Sequence, residues 1–316
     1  MTPSHPLANH PALAGITVLQ RGWLSSNNLL VHGRPGDAGA TLIDASHVNH
    51  AQQTVELVRL ALRGQRLARV VNTHLHSDHC GGNAALQRAF GAELLIPPGQ
   101  AEAVAQWDDS VLSYAATGQR IERFKPDGVL HPGSELQAGD CSFEVLAAPG
   151  HDPDSVMLFE SGRGLLISAD ALWENGFGVV FPEIVGEPGF DDVARVLDLI
   201  ERLPVRLVVP GHGAPFTDVT AALQRARSRL ASFRRDPFRH ARHAAKVLIK
   251  YHVMEEQQMS EDALRAWAGA TPLMNSLWER QGRAEAASAQ AWSDGFVTEL
   301  VGAGVLRREG DQIADG

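Results

Sequence analysis

The stretch VVNTHLHSDHCGGN, residues 70–83, carries three histidines and an aspartate within six positions: His74, His76, Asp78 and His79. Burial of apolar surface gives no reason for such a cluster. Imidazole nitrogens and carboxylate oxygens are the ligands that zinc, iron and manganese accept. The preceding residues, Leu67 to Asn72, read as a buried strand. In an extended continuation alternate side chains share a side, so His74, His76 and Asp78 converge while His79 enters at the turn. Gly81 and Gly82 are expected to let the chain bend tightly into the next helix. Three further candidates follow: His151 after SFEVLAAPG, Asp170 after GLLISA, and His212 after VRLVVPG. Each stands just beyond the end of a predicted strand, so one sheet edge would gather them all.

The elements that must hold this edge are legible up to about residue 225. Short apolar runs punctuated by glycine and proline, among them GITVLQRG, NNLLVHG, GATLIDAS, AELLIPP and SVMLFESG, predict strands. Apolar residues at three and four spacing predict helices over 50–63, 82–90 and 191–202. The tight turn in FESGRG implies antiparallel neighbours, and the helices need sheet faces to cover, so two sheets with helices outside fit best. Residues 98–128 interrupt the rhythm with a mainly helical insertion. Its Trp107 and Tyr114 either wall a substrate pocket or, with Phe124, anchor the insertion to the body. Residues 226–316 turn helical and end in GVLRREGDQIAD, two short strands around a Glu-Gly-Asp turn. Helices followed by a small hairpin resemble a winged-helix module.

Hydrophobic residues make up 44% and charged residues 21% of 316 positions, and no run approaches a membrane span of ~20 apolar residues. The N-terminal stretch lacks the basic start and apolar run of an export signal, and Cys80 and Cys141 read as reduced thiols. A cytoplasmic protein with no membrane partner is expected. Net charge is −9, concentrated in the first 225 residues, with a near-neutral remainder. Neither part has the basic excess of a phosphate-tracking surface, which argues against nucleic acid.

The segments THLHSDHCGG, APGH at His151, SAD at Asp170 and VPGHG at His212 together resemble the metallo-beta-lactamase superfamily over residues 12–225. Four separated motifs in the same order make this far more specific than a single His-x-His. The resemblance implies an α/β fold, a four-layered αβ/βα sandwich, with residues 226–316 as a smaller helical, winged-helix-like domain. It further implies two divalent ions, zinc first, with iron or manganese accepting the same ligands. His74, His76 and His151 would hold one, Asp78, His79 and His212 the other, and Asp170 would bridge them. Water bridging two such ions is deprotonated near neutral pH and can attack a carbonyl, with Asp78 passing a proton to the leaving group.

Asp44 resembles the family's strand-end aspartate and is expected to orient the metal-binding loops. Trp173, Phe177 and Phe181 either line the pocket mouth or pack in the core. Cys80 is expected to be buried, His131 to face solvent, and His240 and His243 to lie on a solvated or interdomain helical face. Arg239 and Arg242 beside them are candidates for a substrate carboxylate. Asp170 turns the resemblance toward glyoxalase II-like thioesterases, lactonases and phosphodiesterases, away from antibiotic hydrolysis. The sequence GHDPDS after His151 departs from the glyoxalase II pattern, so glutathione is not specifically implied. The expected function is a dinuclear hydrolase of an ester, thioester or lactone in a small acyl molecule. The alternatives are a phosphodiesterase or nuclease on the same site, and a ligand sensor with weak turnover. The insertion and the helical tail offer surfaces for a homodimer.

Overall fold

The computed structural model describes residues 6–316. Met1 to His5, part of the stretch read as free of an export signal, lie outside the described residues. One sheet consists of β1 (Ile16–Leu19), β2 (Asn28–Val31), β3 (Ala40–Ile43), β4 (Leu67–Val71), β5 (Glu93–Ile96) and β6 (Gly128–Val129), side by side in chain order. Its first three strands are antiparallel and β3 to β6 run parallel. The other consists of β7 (Glu135–Ala138), β8 (Cys141–Ala147), β9 (Val156–Glu160), β10 (Leu165–Ala169) and β11 (Leu207–Pro210). It is antiparallel except for the β10–β11 pair.

Alternation along these strands makes the layers. Leu29, Val31 and Ile43 of the first sheet meet Phe143, Val145, Leu158, Ile167 and Val209 of the second in one core between the sheets. The residues between them point outward. Leu30, Leu42 and Val70 meet Val55 and Val58 of α1 (Ala51–Ala61) and Leu86 of α3 (Asn83–Phe90). On the far side Phe159, Leu166 and Val208 meet Val193, Leu197 and Ile200 of α7 (Phe190–Arg202) and Ala226 and Leu230 of α8 (Val219–Arg235). Strands buried on both faces read as continuous apolar runs, which is why they are plain in the sequence. The result is the expected four-layered sandwich.

Between α1 and α3 lies the single turn α2 (Ser77–Cys80), and the insertion carries α4 (Ala101–Gln106) and α5 (Ser113–Thr117). Trp107 packs edge-on to Phe124 at 5.5 Å and stacks with Tyr114 at 6.2 Å, all within the core of the first sheet. The short helix α6 (Phe181–Val185) leads into α7.

The expected division at residue 225 falls inside α8, whose Ala222, Leu223, Ala226 and Leu230 complete the core of the second sheet. The structural break comes at Asp236, before α9 (Pro237–Glu256). Beyond it α10 (Glu261–Ala270), α11 (Pro272–Leu277) and α12 (Ala289–Gly302) pack with α9 around Leu248, Met274 and Phe296. The closing hairpin of β13 (Leu306–Glu309) and β14 (Gln312–Asp315) gains a third strand, β12 (Gln258–Ser260), against β14. No helix among the described residues is long and apolar enough to cross a membrane.

Phe143 has no exposed surface and sits between the two sheets. Phe143→Ala is expected to cost about 3–5 kcal/mol, read as a fall in the denaturant midpoint at constant slope. A loss under about 1 kcal/mol would show that the intersheet core does not carry the fold.

Candidate metal centre

The ends of β3, β4, β8, β10 and β11 meet at one edge of the sandwich. The chain leaves β4 extended, so His74 and His76 do alternate onto one side. His76 then caps α2 with φ −69° and ψ 150°, and Asp78 and His79 arrive on a helical turn rather than by further alternation. Gly81 and Gly82 have ordinary helical φ of −61° and −87°. They are glycines because a Cβ would collide with the Val48 amide nitrogen and the Ala45 carbonyl, a demand of close approach rather than of bending.

All seven candidate ligands are brought together. His76 Nδ1 lies 3.1 Å from His74 Nε2 and 2.8 Å from His151 Nε2. On the other side His212 Nε2 lies 2.8 Å and His79 Nε2 3.8 Å from Asp78 Oδ2. Asp170 stands between the two groups, its Oδ1 3.5 Å from His79 Nε2 and its Oδ2 3.4 Å from His151 Nε2. The preceding Ala169 takes φ +46° where the β10–β11 register shifts, a left-handed conformation that costs an ordinary residue energy and turns Asp170 into the site. Gly211 has no room for a Cβ beside the Asp170 carboxylate and the His79 ring.

The outer ring nitrogens fix which way the lone pairs face. His151 Nδ1 donates to the Val179 carbonyl at 2.6 Å, and His79 Nδ1 donates to Asp44 Oδ2 at 2.8 Å. His74 Nδ1 reaches Thr73 Oγ1 at 3.2 Å, and that hydroxyl donates onward to Asp44 Oδ2 at 2.9 Å. With those protons outside, the Nε2 atoms of His74, His79 and His151 point inward at one another and at two carboxylates. Burial would lower the His79 ring, but Asp44, Asp170 and Asp78 outweigh it and raise it well above its usual value, so its inward nitrogen faces the carboxylates as a cation unless a metal ion takes that place. Asp44, itself at φ +59°, also accepts the Thr73 backbone N–H at 2.8 Å and so ties β3 to the ligand loop.

Electrostatics sharpen this picture. Burial pushes His76 and His151 down to about 4, and holds His74 well below its usual value. These rings are therefore neutral with free lone pairs near pH 7. Burial would raise the Asp78 carboxyl, but His79 and His212 outweigh it and keep it below the carboxylate range. The fully buried His79 Nε2 has no hydrogen-bond partner. An orphaned nitrogen, neutral imidazoles facing one another and two carboxylates fit divalent cations in both groups. Burial pushes the Cys80 thiol up, and its sulfur meets the Tyr114 hydroxyl at 3.2 Å, so it is a packed thiol and not a ligand.

Five of the seven ligands, His76, Asp78, His151, Asp170 and His212, floor a cavity of about 590 Å³, with His74 and His79 buried behind them. Trp173 and Phe181 line it. Phe177, with only 2% exposure in the core of the second sheet, does not, and neither do Trp107 or Tyr114, which anchor the insertion instead. Trp173 Nε1 donates to Asp170 Oδ1 at 3.2 Å. Unforeseen are Trp23, stacked on the His212 ring at 5.5 Å, and Tyr251 of α9, whose hydroxyl meets Ser77 Oγ at 2.9 Å. Thr117 and Gln119, from the insertion, also reach the wall. His131 is exposed. His240 is buried and accepts the Val180 N–H at 3.2 Å, so this helical face is a packed interdomain one. Arg242 is occupied by Glu285 and Glu299 and does not reach the cavity.

Asp44→Asn removes the carboxylate that orients His79. Metal affinity is expected to fall about 10–100-fold, measured by competition with a chromophoric chelator. Unchanged affinity would reduce Asp44 to a loop-packing residue.

The metallo-beta-lactamase superfamily profile matches residues 21–212. A hydroxyacylglutathione hydrolase from Anaeromyxobacter dehalogenans is 31% identical over 198 residues, covering 60% of this chain and 67% of that protein. An acyl-coenzyme A thioesterase from Homo sapiens is 29% identical over 152 residues, 45% of this chain and 54% of its own. The chain thus spans between about half and two thirds of these relatives. Among solved structures, a beta-lactamase domain protein from Burkholderia ambifaria superposes with TM-score 0.56 at 21% identity, covering 99% of this chain and 97% of its own. A metallo-beta-lactamase family protein from Thermus thermophilus gives TM-score 0.55 at 20% identity, covering 96% of this chain and 99% of its own. With the profile spanning most of the chain and the fold shared end to end, the chain belongs to the metallo-beta-lactamase superfamily of metal-dependent hydrolases.

Proposed function

We propose that this chain is a dinuclear hydrolase of small acyl esters, thioesters or lactones. One observation carries the reading: seven ligands converge, and five of them reach the floor of a cavity whose walls are largely apolar, built from Val179, Phe181, Val247, Leu248 and Met254 among others. His74, His76 and His151 would hold one ion, Asp78, His79 and His212 the other, with Asp170 shared. Two ions held so supply an activated water near neutral pH and a Lewis acid for the carbonyl oxygen, zinc being the first choice for this ligand set.

The chain's own groups do the rest. Trp23, Trp173 and Phe181 flank the ligands and exclude solvent from an acyl group resting on them. Asp78, a ligand that also lines the cavity, would relay a proton from the attacking water to the departing sulfur or oxygen. Thioesters come first among the three substrates, supported by relatives named for acyl-glutathione and acyl-coenzyme A hydrolysis. The net charge of −9 and the apolar walls favour a small acyl compound over a polynucleotide.

Zinc-loaded protein is expected to turn over an acyl thioester, an aryl ester or a lactone faster than bis-p-nitrophenyl phosphate. Asp78→Asn should lower kcat by about 10²–10⁴-fold. Turnover confined to the phosphodiester would replace the acyl reading, and tight product binding without turnover would make the protein a sensor.

A further inference from the structure

Beside the metal centre's cavity lies a second depression of about 530 Å³, which shares Asn175, Arg229 and His243 with it. Helix α8 presents Arg225, Ser228, Arg229 and Ser232 to this depression, the spacing of a single helical face, and α9 adds Arg239. None of the three arginines has an acidic partner within 4.0 Å among the described residues. Their neighbours on α8 behave differently: Arg227 pairs with Asp198 and Glu201, and Arg234 with Asp191. The lysines of the cavity wall are likewise neutralised, Lys246 by Glu299 and Lys250 by Asp315.

Three guanidinium groups that share one hollow without a direct ion pair form a local positive patch on a chain of net charge −9. Arg225 is held by its Nε, which donates to the Glu174 carbonyl at 2.7 Å and leaves the forked Nη groups for a ligand. Half-buried Arg229 reaches the Phe177 carbonyl at 3.4 Å. Guanidinium forks match phosphate oxygens two at a time, and the serine hydroxyls add donors beside them. The number of donors exceeds what one carboxylate can use.

We infer that this depression binds the phosphate groups of an acyl thioester whose thiol portion is phosphorylated, with the acyl chain lying in the apolar cavity over the ligands. The inference rests on the acyl-hydrolase reading of the neighbouring site. In the reaction a water oxygen forms a bond to the acyl carbon, the carbon–sulfur bond breaks, and the sulfur takes up a proton. A carboxylic acid and a free phosphorylated thiol leave, with no change of oxidation state.

Calorimetric binding of coenzyme A, and hydrolysis of octanoyl-coenzyme A against phosphate-free octanoyl-pantetheine, test this. The unmodified protein is expected to prefer the phosphorylated thioester by about tenfold or more, expressed in KM, as fits a binding contact remote from the bond broken. In Arg225→Gln/Arg239→Gln that preference should collapse and coenzyme A binding should weaken by about tenfold or more. Arg59→Gln, which alters an exposed arginine on α1 paired with Glu56, controls for loss of net charge and should match the unmodified protein. Equal turnover of both thioesters, with coenzyme A binding indifferent to the double substitution, would overturn the inference. If no thioester is hydrolysed yet coenzyme A binds and the double variant releases it, the phosphate site stands and the acyl-hydrolase reading fails. Tighter binding of a short oligothymidylate than of coenzyme A, lost in the same variant, would assign the arginines to nucleic acid instead and refute the thioester.

Discussion

Lone pairs that face one another inside a protein repel unless something positive lies among them. The edge of this sandwich gathers five imidazoles and two carboxylates with their donor atoms turned inward and the outward ring nitrogens of His74, His79 and His151 already committed. Burial makes protons a poor remedy for the three imidazoles of the first group, whose basicity it depresses. Several features that are costly alone then make sense together. Asp44 and Ala169 each hold a left-handed backbone conformation, worth about 1–3 kcal/mol of strain, at the points where a strand must turn a carboxylate toward the cluster. His79 keeps a fully buried nitrogen without a hydrogen bond.

The C-terminal unit finishes the cavity that this cluster floors. Glu255, near the end of α9, is buried against His47 at 3.3 Å and accepts the Arg120 N–H at 3.0 Å. Asn49 donates to its carbonyl at 2.6 Å. Burial would raise the Glu255 carboxyl, but His252 and His47 prevail and keep it ionised. These contacts clamp α9 to the loop after β3 and to the insertion, and they set Tyr251 and Met254 in the cavity wall. A helix free to swing could not define a substrate chamber. This one is tied at the end nearest the ligands.

How much of this was legible in the sequence depended on whether a residue's chemistry or its neighbours decided its role. Strands such as SVMLFESG and VRLVVPG were plain because both faces are buried. In contrast β7, ELQA, hides because Glu135 and Gln137 face solvent, and β6 is only two residues long. The ligands stood out by type and by position after strand ends, though nothing marked Ser77–Cys80 as a helical turn. Walls were harder. Phe177 and Phe181 look equivalent in ALWENGFGVVFPE, yet one enters the core and the other the cavity, a choice made by the path of the loop. Tyr251 and Arg229 lie on long helices where only tertiary packing determines which face turns inward. Arg239 and Arg242, identical in type and close neighbours on α9, separate because Glu285 and Glu299 capture only the second.

The most direct measurement of the central claim is anomalous diffraction at the zinc edge from crystals grown with zinc. Two peaks about 3.5–4 Å apart are expected, one against His74, His76 and His151, the other against Asp78, His79 and His212, with Asp170 touching both. Crystals with excess zinc that show no peak among these residues, or side chains turned away from a common centre, would contradict it.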